Sequence, residues 1–148
     1  MSQLQTNLAL ASTIAGSASV FSTLASEGAR MGLPRHFKPR VMLLVESKIY
    51  AWMERLCRVY TGGSWDFFDL SNGGAFMAPH SADPFDLHIE ALGIERRVSP
   101  EVAGIISTGF ALRSLAWAGH SDLAEKLAQL LAFVDCHAER ALVRQALA

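Results

Sequence analysis

The sequence predicts an α+β fold, a small antiparallel sheet of about three strands packed with three or four major helices. Three observations carry that expectation. Apolar residues recur at helical spacing in the middle and the C-terminal half of the chain. An Asn-Gly pair stands between two short apolar runs, and a later segment alternates cleanly between apolar and polar residues. At 148 residues, with 51% hydrophobic and 9% aromatic residues, the chain can bury one core, which excludes a disordered body.

Residues 1–30 are rich in Ala, Ser and Thr, with Leu4, Leu8, Ile14, Phe21 and Leu24 loosely spaced. That composition fits either an N-terminal arm or an extra helix, and leaves the main domain to residues 31–148. Leu33-Pro34-Arg35-His36-Phe37-Lys38-Pro39 reads as an irregular connection, because each proline disfavours helix in the residue before it. From Glu46 to Tyr60 the positions Ile49, Trp52, Met53, Leu56, Val59 and Tyr60 fall at helical spacing, and Glu54 can pair with Arg58 four residues on. Gly62-Gly63 is the expected stop. Trp52 and Tyr60 are expected to pack this helix onto the sheet.

A hairpin follows, with strands Trp65 to Leu70 and Ala75 to Ala78 and with Asn72-Gly73 as a two-residue type I′ turn. That loop would set Leu70 opposite Ala75 and Phe68 opposite Met77 on one apolar face. Trp65, Phe67, Asp69, Phe76 and Ala78 would share the other, so helices should cover one face or both. Asp86 to Leu92 alternates, with Leu87, Ile89 and Ala91 inward, as a half-buried strand does. Ser99-Pro100-Glu101 is a helix start that combines a cap, a first-turn proline and a first-turn acid. Val102, Ile105, Ile106, Gly109 and Phe110 supply its buried stripe. Ser121-Asp122 opens the last helical region, where Leu123, Leu127, Leu130 and Val134 line one side.

The net charge of −1 argues against both a DNA-coating protein and an acidic replica of DNA. Local charge is uneven. Arg30 to Arg58 holds seven basic residues, whereas Val59 to Glu95 holds six acidic residues and no Lys or Arg. The two segments either neutralise each other across the fold or form two partner-facing patches. Cys57 and Cys136 lack metal-like spacing and read as small buried hydrophobes, with a disulfide as the alternative. Residues 8–25 are uncharged, but seven of those eighteen are Ser, Thr or Gly, and no basic residue precedes them. Neither a membrane span nor a secretory signal is expected, and the protein reads as cytoplasmic.

His80, Asp83, Asp86 and His88 are metal-capable, so a small metal-dependent enzyme is one reading. Pro84 interrupts them, however, and the spacing matches neither a zinc pair on a helix nor a calcium loop. Gly62-Gly63 and Gly73-Gly74 read as backbone turns, since no Gly-Lys-Ser/Thr follows. Ser71 lies outside any Gly-x-Ser-x-Gly elbow. No catalytic residue, metal or cofactor is assigned. Arg55, Trp65 and Asp69 are the candidate partner-binding residues, Trp and Arg being frequent interface anchors. His36 and His137 have no evident partner in the sequence.

Over Tyr50–Pro79 the chain closely resembles the KlcA/ArdB antirestriction family. The motifs are Trp52-Met53-Glu54-Arg55-Leu56-Cys57, Tyr60-Thr61-Gly62-Gly63, and Leu70-Ser71-Asn72-Gly73-Gly74 running on to Met77-Ala78-Pro79. Leu33 to Phe37 and Ser99 to Ile105 extend the likeness, which covers about residues 33–145. Residues 1–30 depart from the family's short N-terminus. A family His-Pro-Glu stands here as His137-Ala138-Glu139, so either the last helix runs continuously or the C-terminal tail packs differently. The resemblance implies a protein of plasmids or other mobile elements that inhibits host type I restriction-modification, without cofactor or catalysis. Its implied partner is the restriction complex or a host factor controlling it, with no stable DNA binding and no membrane.

Overall fold

The computed structural model describes residues 19–148, so expectations for residues 1–18 lie outside it. In chain order the elements are β1 (Ser22–Leu24), α1 (Ala29–His36), α2 (Pro39–Leu56), β2 (Trp65–Leu70), β3 (Ala75–Pro79) and β4 (Phe85–Ile89). A 3₁₀ turn (Glu90–Leu92), β5 (Ile94–Val98), α3 (Pro100–Trp117), α4 (Leu123–Val134) and α5 (Arg140–Ala146) follow. The class is α+β, as the sequence predicts. Its strands form two antiparallel sheets, one in the order β1-β2-β3 and the other pairing β4 with β5.

Helix α3 is the centre of the molecule, with every residue from Val102 to Leu112 buried. A helix apolar on all sides is stable only when enclosed on all sides. Ser99 Oγ accepts from Val102 N at 3.1 Å, the cap that Ser-Pro-Glu announces. On one side α2 covers α3 with Val45, Ile49 and Met53, and Ser107 Oγ donates to Met53 Sδ at 3.6 Å. On another side α3 lies directly on β3. A Cβ at Gly104 would sit 2.5 Å from Ala78 Cα, so only glycine permits this approach. Met77 N donates to Thr108 Oγ1 at 3.2 Å, which closes the edge of β3 away from β2 with a helix side chain.

The hairpin register differs by one residue from the two-residue-loop expectation. Asp69 pairs with Ala75, Phe68 with Phe76 and Phe67 with Met77. The loop holds three residues: Gly73 N donates to Leu70 O, and Leu70 N donates to Gly74 O. Gly73 at φ 97° supplies the left-handed step. A one-residue shift moves side chains between faces. Phe76 therefore joins Phe68, their rings stacked at 4.7 Å, and Met77 joins Phe67 and Asp69 on the opposite face. Helices cover both faces. Phe133 of α4 stacks on Phe76 at 5.6 Å, while α1 and α2 lie over Phe67 and Trp65. The hairpin tip is tied to α4: Asn72 Nδ2 donates to Gln129 O at 2.9 Å, Gln129 Nε2 to Asn72 O at 3.2 Å, and Lys126 Nζ to Gly73 O at 2.8 Å.

Other boundaries also move. Leu33 to His36 belongs to α1, despite Pro34, because Gly32 and Leu33 are buried against β2, and tertiary packing overrides a single missing N–H. Helix α2 starts at Pro39 and ends at Leu56, so the helix does not reach Gly62-Gly63 and the Glu54–Arg58 pair does not form. The chain leaves the helix early so that Tyr60 OH can accept from the buried Trp65 indole at 2.8 Å. Strand β4 stops at Ile89 and Ala91 is exposed, not inward; Gly93 at φ 65° returns the chain into β5. The last helical region divides in two. His137 fills the break by accepting from Glu139 N at 3.0 Å and holding Glu101 at 2.8 Å. Both cysteines are free. Cys57 is buried, but Cys136 is exposed rather than a core residue.

Candidate functional site

The three residues singled out in sequence do not form one patch. Trp65 is 9% exposed and packs beneath Tyr50 and Tyr60, with ring centroids at 5.1 and 5.9 Å. Its place is structural, since its only polar atom is already bonded to Tyr60. Asp69 lies on the same sheet face, where α1 crosses it. Arg35 Nη2 donates to Asp69 Oδ2 at 2.7 Å, and His36 Nε2 holds Oδ1 at 2.7 Å. Lys126 Nζ lies 3.1 Å from His36 Nδ1; as the donor there it leaves Nε2 to carry the ring proton toward Asp69. Burial pushes the Asp69 carboxyl up, but the hydrogen bonds from His36 and Arg35 and the charge of the Arg35 guanidinium outweigh it and hold the group below the usual carboxylate value. Burial likewise lowers the Lys126 ammonium, against the pull of Glu125.

Arg55 stands elsewhere, at the end of α2. Its guanidinium lies 4.5 Å over the Trp52 ring, and Trp52 stacks on Phe110 of α3 at 4.5 Å and 16°. Trp52 therefore packs helix on helix, not helix on sheet as its spacing suggested, whereas Tyr60 does reach the sheet through Trp65. The stack continues through Arg113, 4.9 Å from Phe110 and 5.4 Å from Trp117, which is 80% exposed. Beside Trp52 opens a groove of about 510 Å³. The end of α2 contributes Trp52, Arg55 and Leu56, the turn that follows contributes Arg58, and α3 contributes Phe110. The opposite wall is His88 to Ala91. Arg55 and Arg58 are exposed, and neither has a carboxylate partner among the described residues. Arg58 falls within the basic stretch that could face a partner, but Phe110 and Trp117 carry no local mark of a place at or beside this surface. Phe110 reads as plain core, and nothing local marks Trp117 as outward-facing.

Among the described residues the basic stretch meets the acidic one at Asp69, which takes both Arg35 and His36. Asp66 pairs with His80 at 3.0 Å, Asp86 with Arg97 at 3.2 Å, and Glu95 with His88 at 3.3 Å. The proposed metal set is thereby dispersed, since His80, Asp86 and His88 each face a different partner and Asp83 N donates to Ser81 Oγ. Among the described residues no group of three or more His, Cys, Asp or Glu is placed to hold a metal ion. No described helix is long and apolar enough to cross a membrane.

Comparison with known proteins defines the class. The fold is that of a solved structure from work on the KlcA and ArdB proteins, with a TM-score of 0.81 and 34% identity over 88% of this chain and 96% of that one. Those proteins are described as having a novel fold and antirestriction activity against type I DNA restriction systems in vivo but not in vitro. A family model for antirestriction proteins matches residues 58–148. Two Escherichia coli antirestriction proteins KlcA are similar in sequence. One is 37% identical over 86% of this chain and 93% of its own length; the other is 39% identical over 66% and 69%. The chain belongs to the antirestriction protein family.

Proposed function

We propose that this protein, carried by a plasmid or another mobile element, protects incoming DNA in the host cytoplasm by inhibiting type I restriction through protein binding. The partner is the restriction complex or a host factor that controls it. The observation that carries this reading is the pair of exposed guanidiniums, Arg55 and Arg58, without an ion-pair partner among the described residues, beside a Trp52–Phe110 stack. Arg and Trp at a partly desolvated groove are the residue types that dominate protein interfaces. The net charge of −1 supports protein contact over charge imitation of DNA. Activity in vivo but not in vitro, as described for KlcA and ArdB, is what dependence on a cellular component produces, and it favours the host factor. No catalytic step is assigned. Arg55 makes the contact, Asp69 positions α1 against the sheet, and Trp65 packs the hairpin.

The test is plating of unmodified phage on restricting cells that express R55E/R58E, with circular dichroism to establish folding. Protection should fall by about tenfold or more, a hot-spot loss. Asp135→Asn, remote from the groove, should protect like the parent. Full protection by a folded R55E/R58E protein would reject this surface.

A further inference from the structure

The geometry points to an acidic peptide segment of a partner protein, an apolar side chain beside a carboxylate, as the occupant of the Arg55 groove. This rests on the reading of the groove as the contact surface. The walls supply two chemistries at once. Leu56 and Ile89 are buried along it, and Phe110 is backed by Trp52, which gives an apolar floor. At the rim Arg55 and Arg58 have no carboxylate within ion-pair distance among the described residues. Trp52 lies against one face of the Arg55 guanidinium at 4.5 Å, which leaves the N–H edge free to take a carboxylate in the fork geometry. The volume of about 510 Å³ suits one large side chain and its neighbour rather than a folded surface.

Charge separates a peptide from a nucleic-acid strand. Glu90 lines the same groove, and His88 is engaged with Glu95 at 3.3 Å and adds no free cation. A phosphodiester strand carries a charge at every step and would meet Glu90. An isolated carboxylate flanked by apolar groups fits the two arginines and avoids it.

The experiment is an NMR titration of the full chain, following the Trp52 indole N–H and the Arg55 Nε–H. Three probes are used: a blocked hexapeptide with a single Asp flanked by Leu in a Gly/Ser background, its Asn/Leu counterpart, and a thymidine hexanucleotide. The Asp/Leu peptide should shift both signals saturably with Kd about 1 mM or tighter. Binding should weaken about tenfold or more for the Asn/Leu peptide on the native protein, and equally for the Asp/Leu peptide on R55Q/R58Q. No saturable shift, equal binding of the Asn/Leu peptide, or preference for the oligonucleotide would each overturn the assignment. If the peptide fails while R55E/R58E abolishes protection, the surface stands and the partner's chemistry is wrong. If the peptide binds while R55E/R58E protects fully, the groove takes acidic peptides and the antirestriction contact lies elsewhere.

Discussion

Replacing Gly104 by Ala tests the contact on which the whole arrangement turns. In an exposed helix this change is favourable by about 1 kcal/mol. Here the added methyl would meet Ala78 Cα at 2.5 Å, and a backbone atom in a strand cannot rotate away. Helix α3 must move off β3, and overpacking of this kind costs about 1–3 kcal/mol. The movement also opens the 3.2 Å bond from Met77 N to Thr108 Oγ1, and an orphaned buried donor costs about 1–3 kcal/mol more. Against the helical gain, the net expectation is about 1–5 kcal/mol of destabilisation, centred near 3. Gly109 is the control. A Cβ there meets Leu147 Cδ1 at 2.6 Å, the end of a side chain next to the C-terminal residue that can turn aside. Gly109→Ala should stay within about 1 kcal/mol of the parent. Urea unfolding followed by far-UV circular dichroism reads both, and Gly104→Ala should lower the midpoint by about 1–2 M. A Gly104→Ala midpoint equal to the parent, or a Gly109→Ala loss as large, would refute the close-approach argument.

Acid should expose the Asp69 network. Its carboxyl is held below the usual value, so its stabilisation is complete above about pH 4 and is lost as pH falls below that. Asp69→Asn should therefore show a flatter fall in urea midpoint between pH 5 and 2 than the parent, and a steeper fall would contradict the assignment. The two thiols should differ sharply. Burial pushes Cys57 up to about 11, while Cys136 is exposed. A thiol reagent should label one site per folded chain, and Cys136→Ser should abolish that fast phase; rapid labelling of Cys57 would count against the packing at the end of α2. Chelation should leave the melting temperature within about 1 °C, whereas a larger drop would restore the metal reading of His80 and His88.

The start of α3 was the most legible feature of the fold. Ser99-Pro100-Glu101 states its chemistry in three consecutive residues, and α3 begins where it says. Strand β5 was hidden because Ile94-Glu95-Arg96-Arg97-Val98 places three exposed charges between two buried ends, which erases the alternation. Its register against β4 is marked by the Asp86–Arg97 and His88–Glu95 pairs across the two strands. The hairpin was recognised from Asn72-Gly73, but the loop length was not. Two consecutive glycines allow either turn, and the reciprocal bonds to Gln129, far along the chain, accompany the longer one. Exposure was the least legible property. Trp65 and Trp117 are the same residue type in apolar surroundings, yet one is 9% and the other 80% exposed. Only the neighbouring elements distinguish them.

The bonds between Asn72 and Gln129 span 57 residues of chain, and that from Lys126 to Gly73 spans 53. The hairpin leaves the ribosome well before the residues that hold its tip. Until α4 arrives, the apolar rings of Phe68 and Phe76 lack the cover of Phe133, and the emerging α3 has α2 on one side and nothing from the later helices. A nascent chain in that condition carries adhesive surface for the time needed to add the remaining residues. A stop codon upstream of Gln129 would make that transient species permanent, so C-terminal truncations of this protein should accumulate with chaperones or in inclusion bodies rather than as shortened folded domains.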